Sequence, residues 1–360
     1  MSRTLRQLVF VVYALIIQWP VQLLIWVFGR MGVFKVLFLI YPTDRSECLD
    51  FCPDIPFLRN FFSGNPTPAG LIMDGWLPVG IYLVVPNTAM ELARRKNRAM
   101  VDTIIERMRW YRKISGAQAI GLAGQLGPIF EKQCGKPMEP PFYSSTYGNI
   151  FSIHKAVNHL VTTSNRTPWQ ISVAIIGGGE LAVQLAKSLA GDGYRLETVE
   201  VRYTRKGTVL LWDENEADQQ LHGADVVINL LPRGRDFLGC NIHHRMTESA
   251  AIVDFSRPPI SPKAISQKVV MGNRVQSGGL HFFVNLPGGW KRHELPACSM
   301  PSLLASLGTL PFGNMDEFRL AANQLAFSTA LIGGQVEDTS QDDLVRGSGV
   351  RTVGGGTLPL

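Results

Sequence analysis

The chain reads as an α/β protein: a Rossmann-type doubly wound sheet with an N-terminal α/β domain and an N-terminal membrane-associated hydrophobic segment. Three observations predict this. The run Val173-Ala-Ile-Ile-Gly-Gly-Gly-Glu-Leu-Ala182 carries β-branched residues into a glycine turn and out into a helical apolar pattern. Further strands follow at 195–203, 224–231 and 250–255, and the later ones end in polar or proline-containing loops. Ahead of them, residues 7–29 contain no charged side chain. The organisation expected is a hydrophobic membrane segment over 1–41, an N-terminal α/β substrate domain over 42–165, a dinucleotide-binding domain with closing helices over 166–332, and a flexible tail over 333–360.

The N-terminal segment approaches the ~20 apolar residues that a membrane span needs. Arg3 and Arg6 precede it and Arg30 and Lys35 follow it. No small-residue cleavage site follows a short apolar core, so it does not read as a removable signal. Gln18, Pro20 and Gln22 allow a second reading, two short helices lying in the membrane interface, and a buried pair of core helices is a third. The apolar stretch 33–41 extends the hydrophobic region, and deleting 1–41 is expected to leave a soluble remainder. The expected place is the cytoplasmic face of a membrane, in contact with its lipid.

Residues 42–68 read as a loop leaving this segment, and 71–86 as one or two strands broken at Gly75 and Gly80. Asn87 is a candidate N-cap for a long helix, 89–112, whose basic face includes Arg94, Arg95 and Lys96. Glycines 116, 121, 124 and 127 favour a strand and a tight turn, and a helix follows over 149–162. After the first Rossmann strand at 172–176 come the later strands, a strand and Ser277-Gly-Gly turn within 269–284, and closing helices at 302–310 and 315–332.

Composition narrows the partners. Hydrophobic residues make up 46% and charged residues 18%, with a net charge of +6, which suits an anionic surface or an acidic partner. No lysine-rich block or base-stacking motif argues for nucleic acid. The five cysteines are scattered and odd in number, as free thiols in a reducing compartment would be. Cys48-x-x-x-Cys52 lacks a second ligand pair, so no metal is expected.

The candidate cofactor site is the glycine turn. Gly177 permits the bend, Gly178 continues the run, and Gly179 lets the backbone approach a pyrophosphate. Ala182 stands at the third glycine position and is small enough for helix–strand contact, while the helix start offers free N–H groups. At the end of the second Rossmann strand, Glu200 suits ribose hydroxyls, and Arg202, Arg205 and Lys206 suit a 2′-phosphate. The cation cluster favours NADPH. Cys298, in Leu-Pro-Ala-Cys-Ser-Met-Pro before an apolar helix, is the candidate nucleophile, because a helix start lowers a thiol's pKa. It also reads as a small packed core residue. His281 and His293 flank the same region as possible proton donors.

In order and spacing, these landmarks resemble the long-chain acyl-(acyl carrier protein) reductases best known from cyanobacteria. Val-Pro-Asn-Thr-Ala-Met-Glu-Leu-Ala-Arg94-Arg95 is similar to that family's Leu-Pro-x-Met-Leu-x-x-Arg-Arg, and Gly121-Leu-Ala-Gly124 with Pro128-Ile-Phe to its first glycine turn. Tyr147-Gly148-Asn149 resembles its Thr-Gly-Asn, Ile252-Val-Asp254 its Leu-Ile-Asp, Ser277-Gly-Gly279 its Gly-Gly, and Ala297-Cys298 its Ala-Cys. The likeness covers about 71–331. It departs at the N-terminal segment, at Ala182 and at Pro301. It implies reduction of an acyl thioester, carried by acyl carrier protein or coenzyme A, to a fatty aldehyde through a cysteine acyl-enzyme. Cys298 is then the nucleophile, backbone amides at Gly148 and Asn149 hold the oxyanion on the substrate side, and 116–130 lines the acyl channel. The alternatives are a non-covalent NAD(P)-dependent lipid oxidoreductase, a nucleotide-sensing regulatory protein at a membrane, and a non-enzymatic interaction module.

Overall fold

The structure, a computed structural model, describes residues 3–177, 179–204, 208–284, 286, 290–291, 293–308, 312 and 314–329. Its first sheet is built from β1 (Val36–Ile40), β2 (Thr67–Asp74), β3 (Leu77–Val84), β4 (Ala119–Leu122), β5 (Phe142–Tyr143) and a late-returning strand, β14 (Leu280–Phe283). The spatial order is β14–β2–β3–β1–β4–β5. β1 pairs in parallel with β3 and β4, while β2 runs antiparallel to β3 and β14.

Every residue of β1 is buried, as a strand covered on both faces of a sheet requires. Leu37 and Leu39 face the helices Arg98–Ser115 and Leu126–Cys134 with Ile81, Leu83 and Ile120. Val36, Phe38 and Ile40 face Leu303, Leu304 and Phe318 of the helices Met300–Ser306 and Met315–Gln324. The apolar stretch 33–41 is thus largely a central strand and not an extension of a membrane segment. Hydrophobicity alone does not separate the two. Deleting 1–41 would remove β1 from the middle of the sheet, so the soluble truncation expected above does not follow.

The segment ahead of β1 forms Arg3–Val12, a π-helical turn Tyr13–Ile17 and Gln18–Arg30. It folds back onto the first domain. Ile25 is buried against the sheet's helical layer, and Gly29 lies so close to Ile114 and Ser115 that a Cβ there would strike their backbone. Among the described residues no helix is long and apolar enough to cross a membrane. The long helix expected over 89–112 is also broken. Thr88, not Asn87, caps Ala89–Leu92 through a capping box with Glu91, and the Gln133 amide donates to the carbonyls of Leu92 and Arg94 at 2.9 and 3.0 Å.

The second sheet contains β6 (Ser172–Ile176), β7 (Arg195–Val199), β10 (Val226–Asn229), β11 (Ala251–Asp254) and β12 (Lys268–Met271), all parallel, in the order β12–β11–β10–β6–β7. A hairpin, β8 (Val201–Tyr203) and β9 (Val209–Leu211), follows β7. Val173 and Ile175 pack on one face with Leu185 and Leu189 of the helix Glu180–Gly191; Ala174 and Ile176 pack on the other with Leu221 and Phe237. This is a doubly wound sheet whose order reverses between β6 and β10. A small sheet joins β13 (Arg274–Gln276) to β15 (Leu295–Pro296) and β16 (Ser328–Thr329). The helices Met300–Ser306 and Met315–Gln324 cover the first sheet, so with β14 they belong structurally to the domain in which the chain began.

Candidate active site

At the carboxyl end of β6, Gly177 has φ +102° and Gly179 φ +98°, a region that favours glycine. The Gly177 N–H donates to the Val199 carbonyl at 3.3 Å, tying the turn to the end of β7. A Cβ at position 177 would touch Leu230 at 3.4 Å, whereas one at 179 would meet nothing within 4 Å. Behind the turn, Ala182 is buried against the sheet. An open cradle in front of the start of Glu180–Gly191, at the reversal of strand order, fits a pyrophosphate. Gly178, Arg205 and Lys206 lie outside the described residues. Glu200 is exposed between β7 and β8, and Arg202 is exposed on β8.

Cys298 lies in a single turn of 3-10 helix, Ala297–Ser299, ahead of Met300–Ser306. That turn hangs on the second sheet. The Ala297 N–H donates to the Asn273 carbonyl at 3.0 Å, and the Asn273 amide donates to the carbonyls of Phe255 and Ser256 at 3.3 and 3.2 Å, just past β11. The first domain provides the opposite wall, where the Gly124 backbone N–H lies near enough to the Cys298 sulfur to favour its thiolate. Tyr41, just after β1, accepts a 3.1 Å bond from the Gln125 N–H beside it. Cys298 therefore joins the carboxyl ends of both sheets.

Arg257 lies close to both Cys298 and Tyr41. Asp254 accepts hydrogen bonds from Ser256 N–H, Ser256 O–H and Ile260 N–H at 2.9, 2.6 and 2.7 Å, which fixes the loop that carries it. Glu47 holds Arg257 Nε at 3.0 Å, while Nη2 is buried without a hydrogen-bond partner among the described residues. The thiol itself departs from expectation. Burial pushes Cys298 up to about 11, against the lowering effects of the Gly124 N–H and the Arg257 charge. The expected lowering at a helix start does not hold, because the apolar surroundings outweigh those two groups. Burial likewise raises the Tyr41 hydroxyl.

The other candidate residues divide. Gly148 lies against the turn bearing Cys298, and a Cβ there would strike the Ala297 carbonyl oxygen and come 3.0 Å from Pro301. Its glycine thus serves close packing of the protein's own chain. The Asn149 backbone N–H is spent on the Ser145 carbonyl at 3.0 Å, so the backbone oxyanion role expected of Asn149 has no free N–H. His281 is buried on β14 with Nδ1 3.2 Å from the Gly279 carbonyl. Ile120, Leu122, Leu126 and Phe130 are filled core, not the wall of an acyl channel. Sequence reasoning missed Tyr41, Arg257 and Asn273. The available signal was polar residues just past the carboxyl ends of strands, where doubly wound sheets bind ligands.

A cavity of about 550 Å³ lined by His154, Lys155, Arg166, Asp192 and Arg319 lies at the amino ends of β6 and β7, opposite the glycine turn. The chain's five cysteines are all unbridged.

No family model matches the chain, and no curated protein matches it. Similar solved structures include the malic enzyme of Entamoeba histolytica, 13% identical, covering 88% of this chain and 74% of that one, with a TM-score of 0.42. The NAD-complexed D-isomer specific 2-hydroxyacid dehydrogenase of Lactobacillus delbrueckii ssp. bulgaricus is 14% identical over 81% and 95% of the two chains, with a TM-score of 0.28. The NADPH-dependent glyoxylate/hydroxypyruvate reductase of Sinorhizobium meliloti is 18% identical, covers 31% of this chain and has a TM-score of 0.23; the match spans about half of that protein, 52%. The architecture given above rests on strand order and register, not on these likenesses. By that order and register the chain is an α/β protein of two layered domains with a Rossmann-type second sheet.

Proposed function

We propose that the chain is an NAD(P)-dependent oxidoreductase, and that its reaction is the NADPH-dependent reduction of a long-chain acyl thioester to a fatty aldehyde through an acyl-enzyme on Cys298. One observation carries the reading: the thiol is tied through Asn273 to the carboxyl end of the sheet that bears an open dinucleotide cradle. The resemblance to acyl-(acyl carrier protein) reductases, whose Ala-Cys falls at Ala297-Cys298, supports the finer substrate.

Sulfur of Cys298 attacks the thioester carbonyl carbon. The new S–C bond forms as the bond to the carrier sulfur breaks, and the carrier, acyl carrier protein or coenzyme A, leaves as a thiol with the proton that Cys298 loses. With the free thiol raised to about 11 even beside Gly124 and Arg257, only a small fraction is thiolate near neutrality, and attack proceeds through that fraction. Arg257 Nη2 and the protonated Tyr41 hydroxyl are the donors available to the acyl oxygen. Gly177, Gly179 and the start of Glu180–Gly191 would hold the pyrophosphate, and Arg202, Arg205 and Lys206 the 2′-phosphate. The chemistry NADPH supplies when bound is a hydride, which takes the acyl group to the aldehyde and frees Cys298.

The raised thiol also favours a second reading, hydride transfer to a lipid carbonyl that Arg257 and Tyr41 polarise, with no covalent step. Purified protein is incubated with NADPH and either acyl thioesters or free ketones, and aldehyde or alcohol is detected. Aldehyde from thioesters, lost in Cys298→Ala, supports the first reading. Turnover of ketones by Cys298→Ala supports the second, and no NAD(P)H oxidation with either class contradicts both.

A further inference from the structure

We infer that the N-terminal helices are an in-plane docking surface for an anionic lipid bilayer. Gln18–Arg30 lies along the first domain with Ile25 turned into its core. The face turned away from the domain is apolar and open: Trp19 is 82% exposed, Leu23 60%, Leu24 53% and Met31 70%, with Trp26 and Phe28 also exposed. An apolar face this wide on a helix held flat against a domain marks an interaction surface.

Its chemistry selects the occupant. The first acidic residue of the chain is Asp44, whereas Arg3, Arg6, Arg30 and Lys35 all precede it. Arg30 lies over the Trp26 ring at 5.4 Å, an exposed aromatic and cation at one level. The neighbouring helix Arg98–Ser115 adds exposed Arg107, close to Tyr111 where that helix meets Tyr13 and Gln22. Tryptophan beside cations around an apolar stripe suits the headgroup boundary of an anionic membrane. No helix here is long and apolar enough to cross one among the described residues, so contact is with one leaflet. The inference stands independently of the reaction proposed above.

The full chain is sedimented with vesicles of phosphatidylcholine alone and with vesicles that also contain phosphatidylserine. The protein is expected to sediment with the second and to be released by salt. Trp19→Ser/Leu23→Ser/Leu24→Ser, which alters only exposed side chains and should keep the circular dichroism spectrum, is expected to reduce binding at least about tenfold. Arg30→Glu/Lys35→Glu should abolish the preference for phosphatidylserine. Failure of the folded wild type to bind either vesicle, or equal binding by the triple variant, overturns the inference. A vesicle-free dimer that the triple variant breaks would assign the face to a second copy of the chain and overturn it as well.

Discussion

Two glycine turns end parallel strands in this protein, and the same residue type serves opposite ends in them. After β6, Gly179 opens onto empty space, with nothing within 4 Å of a would-be Cβ. After β4, the space is filled by the protein itself. A Cβ at Gly124 would lie 2.7 Å from the Tyr41 hydroxyl, and one at Gly121, within β4 itself, would strike the Ser302 hydroxyl. Gly148 likewise yields room to the Ala297 carbonyl. In the second domain glycine leaves space open. In the first it makes a place for the turn that carries Cys298.

That contrast can be broken by substitution. Gly148→Ala forces a methyl onto a backbone carbonyl that cannot move alone, so it should cost about 3 kcal/mol of stability, read as a lower denaturant midpoint. Retained stability would mean the Cys298 turn is not packed as described. Gly179→Val forces a β-branched residue into a glycine-only backbone region, φ +98° and ψ 179°, at a cost of up to about 3 kcal/mol, and should weaken NADPH at least about tenfold by blocking phosphate approach. If it binds NADPH unchanged by fluorescence titration, the cradle is not the nucleotide site.

Smaller effects sharpen the cleft. Alkylation of Cys298 proceeds through the thiolate, so with the thiol raised to about 11 the rate should climb with pH across the alkaline range without a plateau near neutrality. A plateau by pH 7–8, roughly where an activated thiol titrates, would refute the burial argument. Arg257→Met removes a cation that lowers the thiol and should slow alkylation several-fold, with Arg257→Lys restoring part of it. Arg202→Ala is expected to have the smallest effect, weakening NADPH up to about tenfold more than NADH. Equal loss for both would promote Glu200 as the ribose contact.

The second sheet was legible because its signals are local: a β-branched run, a glycine turn and an amphipathic helix lie within twenty residues of one another. The central place of β1 was not. Val-Leu-Phe-Leu-Ile is equally apolar in a bilayer and between two helical layers, and only the pairing with β3 and β4 decides. The return of β14 to the first sheet was hidden for the same reason, since long-range pairing leaves no periodicity of its own. In the cleft, Cys298 was found by its neighbours in sequence. Tyr41 and Arg257 reach it from more than 250 and more than 40 residues away in the chain, respectively, which no local pattern encodes. The thiol's environment was misjudged because a helix start is visible in sequence and a desolvating core is not.

The most direct test of the account is intact-protein and peptide mass spectrometry after mixing the wild-type protein with a long-chain acyl thioester in the absence of NADPH. An acyl mass on the peptide containing Cys298, discharged on adding NADPH and absent from Cys298→Ser, is the result predicted. No adduct, together with aldehyde formation by Cys298→Ser at the wild-type rate, would contradict it.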